Sequence, residues 1–222
     1  MSEPNQHITI DYYTDILCVW AWIAQPRLDE LRQNWGEQIT IRHRYLDVFG
    51  DAHQKIRNSW GSDTGFRKFA EHVQSSGSDF DHTKISALIW DKVRPRSSLP
   101  AHLVLAGVGL VGGEITKGKL AEVFRNSFFC QAQEIGSIPV LFDIAAKQGL
   151  DVHAIQATIS DGSALAALSA DSKDAAHRSI KGSPTWVIND GRQLLYGNIG
   201  YRILHANIEE LLRQPAREAS WC

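Results

Sequence analysis

Cysteine is scarce in this sequence: there are three residues in 222, at positions 18, 130 and 222. So small a set argues against a framework of structural disulfides. A long apolar run is also missing, because the longest, Leu103 to Val111, contains two glycines and is too short to span a bilayer. The first six residues are polar and do not resemble a secretory signal peptide. We therefore expect a cytoplasmic protein.

An excess of charge of one sign is lacking as well. The 23 Lys and Arg residues nearly balance the 25 Asp and Glu residues, and the formal net charge is −2. This balance predicts neither a nucleic-acid partner nor a membrane surface as partner. The nine histidines are scattered and form no ligand-spaced cluster with cysteine or carboxylates, so we expect no metal site. The sequence makes no prediction of the oligomeric state.

The residue that points to chemistry is Cys18, which stands where a predicted strand, residues 7–13, leads into a predicted helix, Ala21 to Trp35. The unpaired N–H groups and the positive dipole end of a helix stabilise an anion such as a thiolate. We therefore predict that the pKa of Cys18 lies below the ordinary value of about 8.5. A buried, inert cysteine is the alternative interpretation.

A second informative segment, residues 182–189, reads GSPTWVIN and predicts a turn that leads into a strand. Asp190-Gly191 predicts a hairpin turn, Gln193 to Tyr196 its return strand, and Tyr201 to Arg213 an amphipathic helix. With another strand predicted at Ile39 to Tyr45, the two ends of the chain spell β-α-β and then β-β-α. This is the element order of a thioredoxin-like domain.

Between these ends, residues 61–178 are predicted to form an inserted helical domain. Residues 1–60 and 179–222 would then form one discontinuous thioredoxin-like domain, and the fold class is α/β with a large helical insertion. Within the insertion, Ile155 to Ala170 is predicted as a single helix. Glycines interrupt an earlier helical stretch and indicate close packing or a break there: Gly107, Gly109, Gly112 and Gly113.

Several segments resemble one known family. Residues 15–22, which read DILCVWAW, resemble the active-site entry of the cytosolic, FrnE-like branch of the DsbA family, where a Cys-Pro-Trp-Cys motif follows an acidic residue. Residues 182–185, GSPT, resemble the cis-proline loop of that family. Leu99 to His102 and Phe128 to Asp151 match it as well, so the resemblance covers nearly the whole chain. It implies a thioredoxin-like fold and thiol–disulfide oxidoreductase activity.

The resemblance also implies the site residues. A cis bond between Ser183 and Pro184 would place the main chain of Ser183 beside the sulfur of Cys18, ready to bind a peptide or glutathione. His102 matches a family position near the active site, where it would hydrogen-bond a substrate or Cys18. Trp20 and Trp22 of the motif complete the predicted substrate-binding set.

The sequence departs from the family pattern in the motif itself. Val19 replaces the usual proline and Ala21 replaces the second, resolving cysteine, so the site is monothiol. Glutathione is then expected as a co-substrate, with no bound cofactor, and a disulfide-containing protein or small thiol as substrate. A tail that ends in Trp221 and Cys222 is a second candidate for the resolving thiol. Cys130 is interpreted as a half-buried small side chain, although the family segment around it borders the site.

Two other functional classes stay open. Sister families of this architecture, the 2-hydroxychromene-2-carboxylate isomerases and kappa-class glutathione transferases, carry a Ser-Pro-Tyr-Ser motif with serine where Cys18 stands. A glutathione-dependent isomerase or transferase is therefore an alternative. Against it, residues 197–200, GNIG, stand in place of the Ser-Asp pair that binds glutathione in the kappa family. The third possibility is a non-catalytic thioredoxin-fold binding module.

Overall fold

The computed structural model of the protein describes residues 7–213. Its four-stranded sheet has the order β2-β1-β3-β4, in which β1 and β2 are parallel and the other neighbours are antiparallel. The strands are β1 (Ile8–Thr14), β2 (Ile39–Tyr45), β3 (Thr185–Ile188) and β4 (Gln193–Tyr196). The helices are α1 (Val19–Ile23), α2 (Gln25–Trp35), α3 (Ala52–Trp60), α4 (Gly65–Ser78), α5 (Leu99–Phe129), α6 (Ile138–Lys147), α7 (Val152–Ser160), α8 (Ser163–His177) and α9 (Tyr201–Arg213).

Alternation along the strands divides the sheet into two buried faces. Ile10 and Tyr12 of β1 lie on one face, where they pack with apolar side chains of α2 and α9. Tyr13 lies on the opposite face, with Val187 of β3 and Ala175 of α8. The sheet is thus covered by helices on both sides, which is the α/β architecture that the sequence predicts.

All helices from α3 to α8 lie between β2 and β3 in the chain. These helices and the connection between α4 and α5 build a separate apolar cluster that includes Trp90, Phe124 and Phe128. The cluster also includes Leu17 and Cys18 in the turn that follows β1. The helical insertion therefore packs directly against the strand-to-helix connection that carries the cysteine. Its division from the thioredoxin-like part at residues 61 and 178 stays a prediction.

Two of the predicted helices are broken in the structure. The helix expected at Ala21 to Trp35 is divided into α1 and α2 at Ala24, because Pro26 has no backbone N–H to continue the first helix and instead lies in the first turn of the second. The helix expected at Ile155 to Ala170 is divided into α7 and α8 at Gly162, whose φ of 84° lies in the left-handed region.

The glycines of α5 serve both purposes that the sequence indicates. Gly113, with a φ of 76°, introduces a kink between two helical halves. Gly107 permits close packing on α7, since a Cβ atom there would lie 2.6 Å from Oγ1 of Thr158. By length and composition α5 is apolar enough to cross a membrane, but core helices meet the same criteria. In this structure α5 packs against α6, α7 and α8.

Candidate active site

Cys18 lies at the N-cap of α1, and three residues separate it from Thr14, the last residue of β1. Its backbone is extended, with φ −77° and ψ 117°, and its carbonyl oxygen accepts hydrogen bonds from the N–H groups of Ala21 at 3.1 Å and Trp22 at 3.2 Å. The preceding turn is closed by the Cys18 N–H, which donates to the carbonyl of Asp15 at 3.1 Å. The side chain is nearly enclosed, with 6% of the residue exposed.

The loop before β3 brings a distant residue to the sulfur. Antiparallel pairing places Tyr13 of β1 opposite Thr185 of β3. The residues just before Thr185 therefore meet the residues just after β1. The Ser183–Pro184 peptide bond is cis, the isomer that the sequence analysis expects. The Cys18 thiol donates to the carbonyl oxygen of Ser183 over 3.2 Å.

The electrostatics of Cys18 differ from the expectation of an acidic thiol. Burial raises the pKa of Cys18, and the charge of Asp15 raises it further. Hydrogen bonds from the Ser183 side chain and from the N–H groups of Ala21 and Trp20 lower this pKa, but they do not offset the burial. The prediction was wrong because it counted the helix end and left out the desolvation of a thiol enclosed between α1 and the insertion.

Asp15 is a buried carboxyl at the start of the same turn. It accepts hydrogen bonds from the N–H of Leu17 at 2.9 Å, the N–H of Phe49 at 2.8 Å and the hydroxyl of Ser98 at 2.8 Å. Burial raises the pKa of Asp15 to about 6, against the lowering effect of these hydrogen bonds and of Arg125. Asp15 thus ties the cysteine turn to the insertion and changes its charge near neutral pH.

His102 does not reach the cleft, contrary to the expectation of a substrate contact. It is fully buried on α5, and its Nε2 accepts the N–H of Ile16 at 3.0 Å while its ring stacks on Tyr45. Burial lowers the pKa of His102 to about 3, so the ring is neutral. Its role in this structure is to hold the backbone of the cysteine turn.

The two tryptophans of the motif have different surroundings. Trp20 lines the cleft beside Cys18. Trp22 instead stacks on Phe129 at 5.9 Å and donates its Nε1–H to the carbonyl of Lys84 at 3.3 Å. The thiol of Cys130 donates to the same carbonyl at 3.2 Å, so Cys130 belongs to the Trp22 contact. The substrate-binding role expected for Trp22 is therefore not supported by its position.

Cys18 opens into a cleft of about 250 Å³ between the cis-proline loop and the insertion. Its lining includes side chains that the sequence analysis did not identify: Val48, Phe49, Lys55, Phe69, His72, Lys181 and Tyr196. Lys181 lies two residues before Ser183, so proximity in the sequence could have indicated it. Lys55 and His72 lie on α3 and α4, and no local pattern marks them.

Two further predictions concern the C-terminal tail and a metal site. Trp221 and Cys222, the predicted tail, lie outside the described residues. Among residues 7–213, no group of three or more His, Cys, Asp and Glu side chains is arranged to hold a metal ion. A larger cavity of about 680 Å³ lies between β2, α2 and α5, and none of the predicted site residues lines it.

Comparisons with known proteins agree with this architecture. The family model of the DSBA-like thioredoxin domain matches residues 9–209. The 2-hydroxychromene-2-carboxylate isomerase of Pseudomonas putida is 23% identical over 219 residues, which cover 93% of this chain and 97% of that protein.

Solved structures show the same fold. The cytosolic disulfide reductase DsbM from Pseudomonas aeruginosa has a TM-score of 0.70 at 19% identity, with 92% of this chain and 98% of that chain covered. DsbM has also been solved with GSH, with a TM-score of 0.68 to this chain at 19% identity, covering 92% of this chain and 99% of that chain. A 2-hydroxychromene-2-carboxylate isomerase structure has a TM-score of 0.65 at 19% identity, covering 96% of this chain and 100% of that chain. The fold expected from the sequence is confirmed.

Proposed function

The chain belongs to the DSBA-like thioredoxin domain family, and on this premise we propose that it is a monothiol thiol–disulfide oxidoreductase with Cys18 as nucleophile. The observation that carries the proposal is the position of Cys18 Sγ, 3.2 Å from the main-chain carbonyl of Ser183 at the cis-proline loop. A disulfide bound along this loop would present its sulfur to Cys18. Ala21 stands where a resolving cysteine would be, so the motif itself supplies one thiol.

The reaction proceeds as two exchanges. The Cys18 thiolate attacks one sulfur of a substrate disulfide, forms a mixed disulfide and releases the other sulfur as a thiolate. The thiolate of reduced glutathione then attacks the mixed disulfide. When the mixed disulfide holds a glutathionyl group, this second step releases oxidised glutathione and restores the Cys18 thiolate. Each step forms one S–S bond and breaks one.

The charge of the cleft supports glutathione as the second thiol. Lys55 and Lys181 line it together with His72, and no Asp or Glu is among the lining residues. Glutathione carries two carboxylates, so such a cleft attracts it. DsbM, a structural neighbour, has been solved with GSH. A glutathione-dependent site would operate in a reducing compartment, which is consistent with the cytoplasmic location expected from the sequence.

Cys222 is the alternative resolving thiol. It would attack the mixed disulfide at Cys18 within the same chain, forming a Cys18–Cys222 disulfide and releasing the substrate as a thiol. This proposal rests on the sequence, since residue 222 lies outside the described part of the chain.

A second candidate function is a glutathione-dependent isomerase or transferase. The observation that favours it is the 23% identity to a 2-hydroxychromene-2-carboxylate isomerase over 93% of this chain. In this case the thiol of bound glutathione would do the chemistry, and Cys18 would only line the cleft. A thioredoxin-fold binding module without catalysis is the third possibility.

The experiment treats the purified full-length chain with oxidised glutathione and maps adducts by intact mass and peptide analysis. We expect one glutathionyl group on Cys18, its loss in Cys18→Ser, and its retention in the matched control Cys130→Ser. A Cys18–Cys222 disulfide formed at low protein concentration would support the tail as resolving thiol. An unmodified Cys18, together with glutathione-dependent isomerisation, would overturn the oxidoreductase proposal in favour of the isomerase.

A further inference from the structure

Tyr196, the last residue of β4, is an exposed aromatic side chain at the cleft of the proposed nucleophile. It lines the cleft that contains Cys18, and 65% of the residue is exposed. A single exposed apolar side chain is ordinary on a protein surface and by itself indicates no role. The contacts of Tyr196 with the cis-proline loop distinguish it from such a side chain.

The backbone of Tyr196 is fixed to the cis-proline loop. Antiparallel pairing places Tyr196 opposite Thr185, the first residue of β3. The N–H of Gly197 donates to the carbonyl of Pro184 at 2.8 Å, so the pairing continues one residue beyond the strand. The position of the tyrosine relative to Ser183 is therefore set by the sheet.

The ring of Tyr196 lies across the main chain of Gly182. A Cβ atom at Gly182 would lie 2.5 Å from Cε2, 2.6 Å from Oη and 2.9 Å from Cζ of the tyrosine. Real Cβ atoms do not approach other atoms so closely, and glycine is the residue that permits such an approach. Because the φ of Gly182 is not positive, the nearby ring is the feature that requires glycine at this position. Gly182 is buried although it lies in a loop.

Gly182 connects the ring to the position of the sulfur. The next residue, Ser183, accepts the Cys18 thiol at 3.2 Å with its carbonyl oxygen. The ring therefore lies one residue along the loop from the carbonyl that contacts the sulfur. Trp20, two residues after Cys18, adds a half-buried aromatic side chain to the same lining. A disulfide that reacts with Cys18 must place the groups bonded to its sulfurs in this part of the cleft.

We propose that Tyr196 determines specificity: its ring packs on a group bonded to the incoming disulfide, and the site prefers disulfides in which this group is aromatic. The inference rests on the proposed role of Cys18 as the nucleophile and adds a substrate class to it. In the exchange, the Cys18 thiolate forms one S–S bond, and the departing thiolate keeps the electron pair of the bond that breaks. Tyr196 takes no part in this transfer and contributes by aromatic stacking.

The test uses two disulfides that are neutral at pH 7, so that the lysines of the cleft do not bias the comparison. Dithiodipyridine carries an aromatic ring on each sulfur, and hydroxyethyl disulfide carries a short aliphatic chain. The measurement is the rate constant for modification of Cys18 in the full-length chain, resolved by peptide mapping. The readout is the ratio of the aromatic to the aliphatic rate constant. The intrinsic reactivities of the reagents cancel when this ratio is compared between variants.

Tyr196→Ala should lower this ratio by about threefold or more, the range for one aromatic pair. Tyr196→Phe should retain the ratio, because the ring makes the contact. The matched control is Leu194→Ala: Leu194 lies on the same strand, is 51% exposed and is outside the cleft lining, so the ratio should not change. An unchanged ratio in Tyr196→Ala would overturn the proposal. A loss of equal size in Tyr196→Phe would also overturn it, since the hydroxyl would then be the contact.

Gly182 provides an independent variant. Gly182→Ala would displace the ring from the loop, so it should lower the ratio as Tyr196→Ala does. In the Tyr196→Ala background the added methyl group has no ring to meet, and Gly182→Ala should have no further effect. An effect of Gly182→Ala that persists at full size in that background would overturn the proposal, because it would not act through the ring.

This inference and the proposed function can fail separately. If both disulfides modify Cys18 with a ratio that does not depend on residue 196, the nucleophile is retained and the specificity role is overturned. A Cys18 that reacts with neither disulfide would overturn both.

Discussion

The Sγ of Cys18 and the carbonyl oxygen of Ser183 lie 3.2 Å apart, although 165 positions separate the two residues in the chain. Pairing of β1 with β3 produces this contact. Thr14 is the last residue of β1 and Thr185 is the first residue of β3, and antiparallel pairing brings these two strand ends together. The helices between them pack over the same edge and enclose the sulfur. The surroundings of Cys18 are therefore a property of the assembled fold, and we expect its buried neighbours to affect its reactivity measurably.

Asp15 is expected to make the stability of the protein depend on pH. Its pKa is about 6 in the folded state, against an ordinary value of 3.8. Between pH 3.8 and pH 6 the Asp15 carboxyl is ionised in the unfolded chain and protonated in the folded chain. The preference of the folded chain for protonated Asp15 adds about 3 kcal/mol to the free energy of unfolding. This contribution is complete below pH 3.8 and is lost as pH rises through 6.

Urea unfolding of the unmodified protein and of Asp15→Asn, from pH 4 to pH 7, measures this effect. Between pH 4 and pH 7 the difference in unfolding free energy between the two should change by about 2–3 kcal/mol in favour of the variant. Parallel pH curves would contradict the raised pKa of Asp15.

The Asp15 carboxylate should also lower the reactivity of Cys18. Ionised Asp15 raises the pKa of Cys18, so Asp15→Asn should increase the thiolate fraction and speed the exchange reaction of Cys18 with a disulfide reagent at pH 7. At pH 5 most Asp15 is already protonated, and the two rates should converge. Dithiodipyridine, which reacts in acid, allows both measurements. Asp29→Asn, which neutralises a carboxylate that is 49% exposed on α2, is the control and should leave the rates unchanged.

The sequence was sufficient for features with a local cause. Residues 39–45 alternate in β2 as expected, and the hairpin of β3 and β4 follows from Asp190-Gly191. The sequence was insufficient where tertiary packing determines the role of a residue. His102 was expected at the substrate, and burial against Tyr45 makes it a structural residue. Arg125 carries no local signal at all, because its contact with Thr14 arises only when α5 crosses the end of β1.

Gly118 of α5 should not tolerate a methyl group. A Cβ atom there would lie 2.8 Å from Cε1 of His43, which is fully buried, and 2.8 Å from Nη2 of Arg32. Gly118→Ala should therefore lower the unfolding free energy by about 1–3 kcal/mol, despite the better helix propensity of alanine. Gly109→Ala is the matched control on the same helix, since the three atoms nearest to its Cβ all belong to the unbranched side chain of Lys117, from Cδ at 2.9 Å to Nζ at 3.5 Å. Urea unfolding should show a clearly smaller loss for the control, and equal losses would contradict this account.

The lysines of the cleft should favour charged disulfides over neutral ones. Lys55 and Lys181 are both exposed and line the cleft around Cys18. Lys55→Gln or Lys181→Gln should therefore reduce the rate of Cys18 glutathionylation by oxidised glutathione about two- to fivefold, the range for one exposed charge pair. Reaction with hydroxyethyl disulfide, which has no charge, should not change, and added salt should reduce the difference. Lys147→Gln, an exposed lysine of α6 outside the cleft lining, is the control. Equal losses with both disulfides would mean that these lysines shape the cleft and do not attract its substrate by charge.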